Sequence, residues 1–177
     1  MNKLKNALVY LAAPIDAVKD DGIPIRQEIR KILDELEIRY LDPTDKPIKI
    51  VGEVGAEKAH HHKLRDEGRY TELRDFAKTI RRHDLRFCDL ADFMIAYIDT
   101  DVHMCGTYDE LFTMEDQGKP VFAVFKNGKK KAPLWLFAAL KIHEMFDSLQ
   151  ELKEYLIKLN DGTIELDKRW VLIREFI

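Results

Sequence analysis

Residues 92–111 read Asp92-Phe-Met-Ile-Ala-Tyr-Ile-Asp99, then Thr100-Asp-Val-His-Met104, then Cys105-Gly-Thr-Tyr-Asp-Glu-Leu111. Phe93 to Ile98 is a short apolar run rich in β-branched and aromatic residues, which predicts a buried strand. Asp99, Thr100 and Asp101 are turn-prone, and from Gly106 to Gln117 the pattern turns helical. A strand, a glycine-containing loop and a helix start are where α/β folds keep their ligands, outside the carboxyl ends of strands. Glu110 is expected in the first turn of that helix, facing the cleft. A carboxylate there also has a plain structural reading, because it complements the helix dipole.

Working outward, Ala7 to Leu11 predicts a first strand buried on both faces. Pro24 to Leu36 predicts an amphipathic helix, with Ile25, Ile29, Ile32, Leu33 and Leu36 inward and Arg26, Glu28, Arg30 and Lys31 outward. Ile38 to Leu41 is a second strand. Residues 43–69 lack a strong period and read as a long excursion with a short helix from Ala56 to Leu64. Its His60-His61-His62 run invites a metal reading, but adjacent histidines cannot all face one ion from a helix, so solvated loop histidines are expected.

Tyr70 to Leu90 predicts a long helix with Leu73, Phe76, Ile80, Leu85 and Cys88 on its apolar side. Val121 to Phe125 is the fourth strand, and Lys126 to Lys131 a basic, solvated turn. Ile142 to Phe146 is the expected fifth strand. Asp147 and Gln150 are spaced as a capping box for a helix through Leu159, and Thr163 to Ile177 suggests two short edge strands.

Alternating strands and helices predict a doubly wound, mostly parallel five-stranded sheet in flavodoxin-like order 2-1-3-4-5, with helices on both faces. The whole chain, 1–177, reads as a single domain. In that order the loop at 12–22 and the loop at 99–106 line one crevice. Ala12, Pro14 and Asp16 from the first, and Asp101, His103, Met104 and Gly106 with Thr107 from the second, are the candidate substrate-binding residues.

Composition narrows the function. With 46% apolar and 34% charged residues the chain fits a soluble globular protein, and its net charge of −3 offers no general pull toward nucleic acid or anionic membrane. The apolar run near the N-terminus is too short for a signal-peptide core or a membrane span, and Cys88 and Cys105 lack metal-type spacing. A cytoplasmic protein with free thiols and no metal or cofactor is expected. There is no Walker-type glycine loop and no GxGxxG.

Several stretches together resemble a known family. Tyr10-Leu-Ala-Ala, Asp84 followed by Asp89-Leu-Ala-Asp92, Gly106-Thr-Tyr-Asp-Glu110-Leu, and Gly118-Lys-Pro-Val look like the nucleoside 2-deoxyribosyltransferases and their relatives, the nucleoside and nucleotide N-glycosidases. The resemblance covers roughly residues 7–125, and the ordered set Asp84, Asp92, Glu110 is its most specific part. It implies that Glu110 is the nucleophile at the anomeric carbon, in the manner of retaining glycosidases. It implies that Asp84 meets the leaving nucleobase and that the hydroxyl of Tyr10 lies beside the nucleophile. Read from the residues alone, Tyr10 is a buried strand aromatic. The implied partners are nucleoside and nucleobase substrates in nucleotide salvage, with a homo-oligomer completing the site.

Two positions depart from the family pattern. Met104 stands where many members hold sugar hydroxyls with an Asp, leaving Asp101 and His103 as candidates to take its place. The apolar stretch Pro133-Leu-Trp-Leu-Phe137 does not reproduce an asparagine contributed by a neighbouring subunit, although its uninterrupted hydrophobicity suits either an interface or the core. The loop Ala13-Pro14-Ile15-Asp16 offers no hydroxyl or arginine for a 5′-phosphate, and Asp20 and Asp21 follow it, with only Lys19 and Arg26 to offset them. The expected function is therefore cleavage of an unphosphorylated nucleoside with transfer to a base or to water. A nucleoside 5′-monophosphate N-glycosidase and a non-catalytic nucleotide-binding or interaction module remain as alternatives.

Overall fold

Alternation within the buried strands decides which side chains meet which helices. A computed structural model describes residues 2–46 and 54–172. Five parallel strands, β1 (Leu8–Ala12), β2 (Arg39–Leu41), β3 (Phe93–Ile98), β4 (Val121–Phe125) and β5 (Met145–Phe146), form one sheet in the order β2-β1-β3-β4-β5. The predicted topology is the observed one. Its central register aligns Val9 with Phe93 and Met94 with Val121.

The helices are α1 (Ile23–Glu35), α2 (Gly55–Asp66), α3 (Tyr70–Leu90), α4 (Cys105–Asp116), the one-turn α5 (Leu136–Ala139) and α6 (Leu149–Asp161). Val9, Leu11, Phe93, Ile95, Phe122 and Val124 form one core with Ile29 and Leu33 of α1 and Leu152 and Leu156 of α6. The alternate residues Tyr10, Ala12, Met94, Ala96, Ala123 and Phe125 form the other, with Cys88 of α3 and Leu111 and Met114 of α4. The period of 2 thus survives inside runs that look uniformly apolar, because each face packs on its own helix layer.

Both edges of the sheet are short, three residues in β2 and two in β5. The expected strand from Ile142 shrinks to Met145–Phe146 because Ile142–Glu144 turns as a 3₁₀ helix, which buries the Glu144 carboxylate against the Arg169 guanidinium. No edge strands form among residues 163–172. Ile164, Leu166, Trp170 and Leu172 instead pack irregularly on the aromatic core, and residues 173–177 of that expectation lie outside the described ones. The capping box of α6 is displaced by one residue. Ser148 Oγ accepts from Glu151 N at 3.2 Å, and Glu151 Oε2 accepts from Asp147 N at 2.8 Å.

Within the 43–69 excursion, residues 47–53 lie outside the described ones. Pro43–Asp45 makes a 3₁₀ turn, and the helix α2 is longer than expected. Its histidines are therefore helical and not in a loop: His61 is buried against Phe76, with ring centroids 4.1 Å apart, and His62 Nε2 lies 3.0 Å from Asp16 Oδ1. No cluster of three His, Cys, Asp or Glu that could hold a metal occurs among the described residues. Nor is any described helix long and apolar enough to cross a membrane.

Candidate active site

The crevice lies where the order of strands reverses, between the carboxyl ends of β1 and β3. Two adjoining cavities occupy it, of about 490 and 460 Å³. Both are bordered by Asp84 and Glu110, and also by Asp16, Arg65, Cys105 and Gly106.

Glu110 reaches this junction from the second turn of α4, since the helix begins at Cys105, and not from the first turn. The dipole falls off within the first turn, so it contributes less than the sequence suggested. A side chain from the sheet takes over. Tyr10 Oη donates to Glu110 Oε1 at 2.8 Å. Tyr10 points to the α3–α4 side because of its parity in β1, and its neighbours Ala12 and Ala96 on that face leave the helices room to approach. The Tyr10 hydroxyl is pushed well above the ordinary tyrosine pKa, first by burial and then by the Glu110 and Asp84 charges. It is therefore a fixed neutral donor. Cys88 lies close by, and burial followed by the same carboxylates drives its thiol pKa upward, so it stays protonated and inert.

Asp84 is buried on α3, with its carboxylate 2.7 Å from Lys46 Nζ. Arg81, Arg82 and Arg86 are its nearest cations in sequence on the same helix. Arg81 instead grips Asp109 of α4 through two hydrogen bonds of 2.7 and 3.2 Å, and Arg86 meets Asp89. Lys46 went unnoticed in the sequence because it follows a turn and joins no motif. A lysine 38 residues away finds Asp84 only through the fold.

Arg26 is a second residue that sequence reasoning misplaced. Its charge predicted an outward position, yet it is 1% exposed. Its guanidinium donates to Ala13 O at 2.7 Å and to the carbonyls of Pro14, Asp21 and Gly22 at 3.2–3.5 Å, while Nε lies 3.4 Å from Asp42 Oδ1. The β1–α1 loop turns its carbonyls inward, and buried carbonyls need donors. Gly22 completes the wrap: it sits at φ +64, and a Cβ there would stand 2.3 Å from Pro14 O.

The other expected binding residues divide. Pro14, Asp16, His103, Met104, Gly106 and Thr107 border the second cavity. Ala12 is sealed in the sheet, where it pairs in register with Ala96. Asp101 turns elsewhere, its carboxylate accepting from Asn127 Nδ2 at 2.9 Å. Met104 is buried at the N-terminus of α4, where its sulfur accepts from Asp99 N at 3.1 Å. Asp92, part of the motif set, sits at the opposite end of β3. Its Oδ2 accepts from Leu8 N at 2.8 Å, which ties two strands together far from the crevice.

The acidic loop is less repulsive than its sequence implied. Asp16 is paired with His62 and Arg65, and Asp21 with Lys58, all three partners coming from α2. Lys58 Nζ also donates to Ile15 O and Val18 O, so α2 is fastened across the crevice by charge.

No protein-family model matches the chain, and no curated protein is significantly similar to it. Solved structures are similar. A 2-deoxyribosyltransferase from the psychrotolerant bacterium Bacillus psychrosaccharolyticus superposes with a TM-score of 0.58 at 18% identity, over 84% of this chain and 92% of that one. A 2-desoxiribosyltransferase from Leishmania mexicana gives 0.57 at 18% identity, over 86% and 98%. A CMP N-glycosidase from Clostridium botulinum gives 0.47 at 19% identity, over 89% and 99%. The open, all-parallel sheet with its crevice at the strand-order reversal defines a flavodoxin-like α/β fold. More particularly, it is the fold of the 2-deoxyribosyltransferases.

Proposed function

We propose that this protein is an enzyme that cleaves the N-glycosidic bond of a nucleoside, with Glu110 as nucleophile, and passes the sugar to another nucleobase or to water. The observation that carries this reading is the hydrogen bond from Tyr10 Oη to Glu110 Oε1, 2.8 Å long, at the junction of two cavities that also share Asp84. The sheet thereby holds the Glu110 carboxylate at the mouth of both cavities. The fold's similarity to two deoxyribosyltransferases supports the same reading.

In the first step a Glu110 oxygen bonds to the anomeric carbon as the carbon–nitrogen bond breaks and its electron pair passes to the base. The transition state is oxocarbenium-like and is stabilised by the adjacent carboxylate. The Asp84–Lys46 pair stands where the departing ring gains charge, and a proton reaches the base from this side. An acceptor base or a water then reverses the step on the glycosyl-enzyme. The active unit is expected to be a homo-oligomer in the cytoplasm, formed through the exposed Leu134 and Trp135, and the chain to act as one domain.

A nucleoside 5′-monophosphate is the second substrate reading. Arg65, His62, His103 and Thr107 border the second cavity, and Asp16 and Asp21 of the β1–α1 loop are already paired. Deoxyinosine or its 5′-monophosphate, incubated with adenine and followed by chromatography, separates transfer from hydrolysis and free from phosphorylated substrate. Glu110→Gln should lower turnover by roughly three orders of magnitude or more while leaving the melting temperature nearly unchanged. A glycosyl adduct on Glu110 should be trapped by mass spectrometry. Full activity of the Gln variant, or no turnover of any nucleoside, rejects the reading.

A further inference from the structure

The two cavities that meet at Glu110 differ in chemistry. The first is walled by the upper turns of α3, with Leu73, Phe76, Ala77 and Ile80, and by Ile15 opposite. Those turns stand clear of the sheet for a geometric reason. The 21 residues of α3 span about 31 Å, whereas the six residues of β3 span about 20 Å. The helix therefore overhangs the strand ends, and its apolar stripe faces a void instead of the core.

No hydroxyl or amide side chain borders this cavity among the described residues. Its ionic groups already have partners: Arg81 with Asp109, Arg65 with Asp16, Asp84 with Lys46 from outside the cavity, and Glu110 with the Tyr10 hydroxyl. The neutral polar group that remains is His61, whose Nε2 has no hydrogen-bond partner among the described residues. Burial lowers its pKa, so the ring is uncharged at neutral pH. The second cavity, by contrast, offers Thr107, His103 and the amide end of α4, which suits a hydroxylated sugar.

We infer that the first cavity takes a flat, mainly apolar nitrogen heterocycle, and selects it by shape and apolar area instead of by a hydrogen-bonding edge. The inference rests on the N-glycosidase reading for its placement of ring and sugar about Glu110. Hypoxanthine and cytosine carry carbonyl and amino groups that would be desolvated here, with His61 and the already paired Asp84 to meet them. Each unmet group weakens binding by roughly ten- to hundredfold. Benzimidazole and 6-methylpurine lack those groups and keep the ring.

Calorimetric titration of the intact protein with the four free rings tests this. Benzimidazole and 6-methylpurine should bind at least about tenfold tighter than hypoxanthine or cytosine. Ile80→Asn should erase that preference. Ile80→Ala, checked for native circular dichroism, should weaken benzimidazole without strengthening hypoxanthine. Tighter binding of hypoxanthine or cytosine, binding of no ring, or an unchanged order in Ile80→Asn would each overturn the inference. Turnover of the 2′-deoxyribosides of 6-methylpurine and hypoxanthine separates the two readings. If the rings bind in the expected order but no nucleoside is cleaved, the N-glycosidase reading falls and the cavity assignment stands. If both nucleosides are cleaved with no preference, the cavity assignment falls alone.

Discussion

The two faces of the sheet are built from the same strands by opposite means. On the α1–α6 face, Phe93, Phe122, Phe146, Tyr155 and Trp170 interlock, with ring centroids 5.1–6.1 Å apart, and the core is closed. On the α3–α4 face, alanines at positions 12, 96 and 123 thin the packing, and Tyr10, Asp84 and Glu110 bring polar atoms under the helices. Large rings give the first face stability; small residues give the second room for a site. The difference teaches that tight packing and the candidate site are divided between the two sides of one sheet, so mutations on each side should fail in different ways.

Phe122→Ala should break the closed face most severely. A phenylalanine removed from a packed core costs about 3–5 kcal/mol, read as a shift in the urea midpoint. Turnover per folded molecule should be unchanged, and a matching loss of turnover would mean that the faces are not independent.

Lys46→Met on the open face removes one partner of a buried ion pair, which costs about 3 kcal/mol. Lys46→Arg should recover part of it. The Lys46→Met, Asp84→Asn double variant should lose less stability than the two single losses added, and strict additivity by denaturant titration would deny that the pair is coupled.

Tyr10→Phe sharpens the contrast, because it removes one oxygen from the open face and no packing. Turnover should drop about 10- to 100-fold, while stability changes by about 1 kcal/mol. The hydroxyl's raised pKa also has a sign in the pH profile. Its contribution is complete below the unfolded tyrosine pKa, near about 10, and is lost as pH rises toward the higher folded value. The native protein should therefore lose stability above about pH 10 more steeply than Tyr10→Phe. Parallel alkaline melting curves would contradict this. Ser148→Ala, at the cap of α6 on the closed face, should cost about 1 kcal/mol with no change in turnover.

Strand period, helix period and turn residues made the strand order legible before any coordinates, and α3 and β3 fall on their predicted limits. The Tyr10, Asp84 and Glu110 set was legible through resemblance. What the sequence hid was long-range. The partners Lys46 with Asp84, and Arg26 with the loop carbonyls, are joined by tertiary folding and leave no local period. The apolar stripe of α3 was legible as a stripe but its surroundings were not, because a helical period says which residues share a face and not what the face meets. Met145–Phe146 was overestimated as a strand for a related reason: the buried Glu144–Arg169 pair fixes a 3₁₀ turn that β-propensity does not report.

The brevity of β2 and β5 bears on behaviour at high concentration. A long open edge presents unpaired amide and carbonyl groups to any passing strand. Here one border carries three residues and the other two, so a foreign strand finds little ladder to extend. Crowded molecules of this protein should therefore resist fibril growth by strand addition.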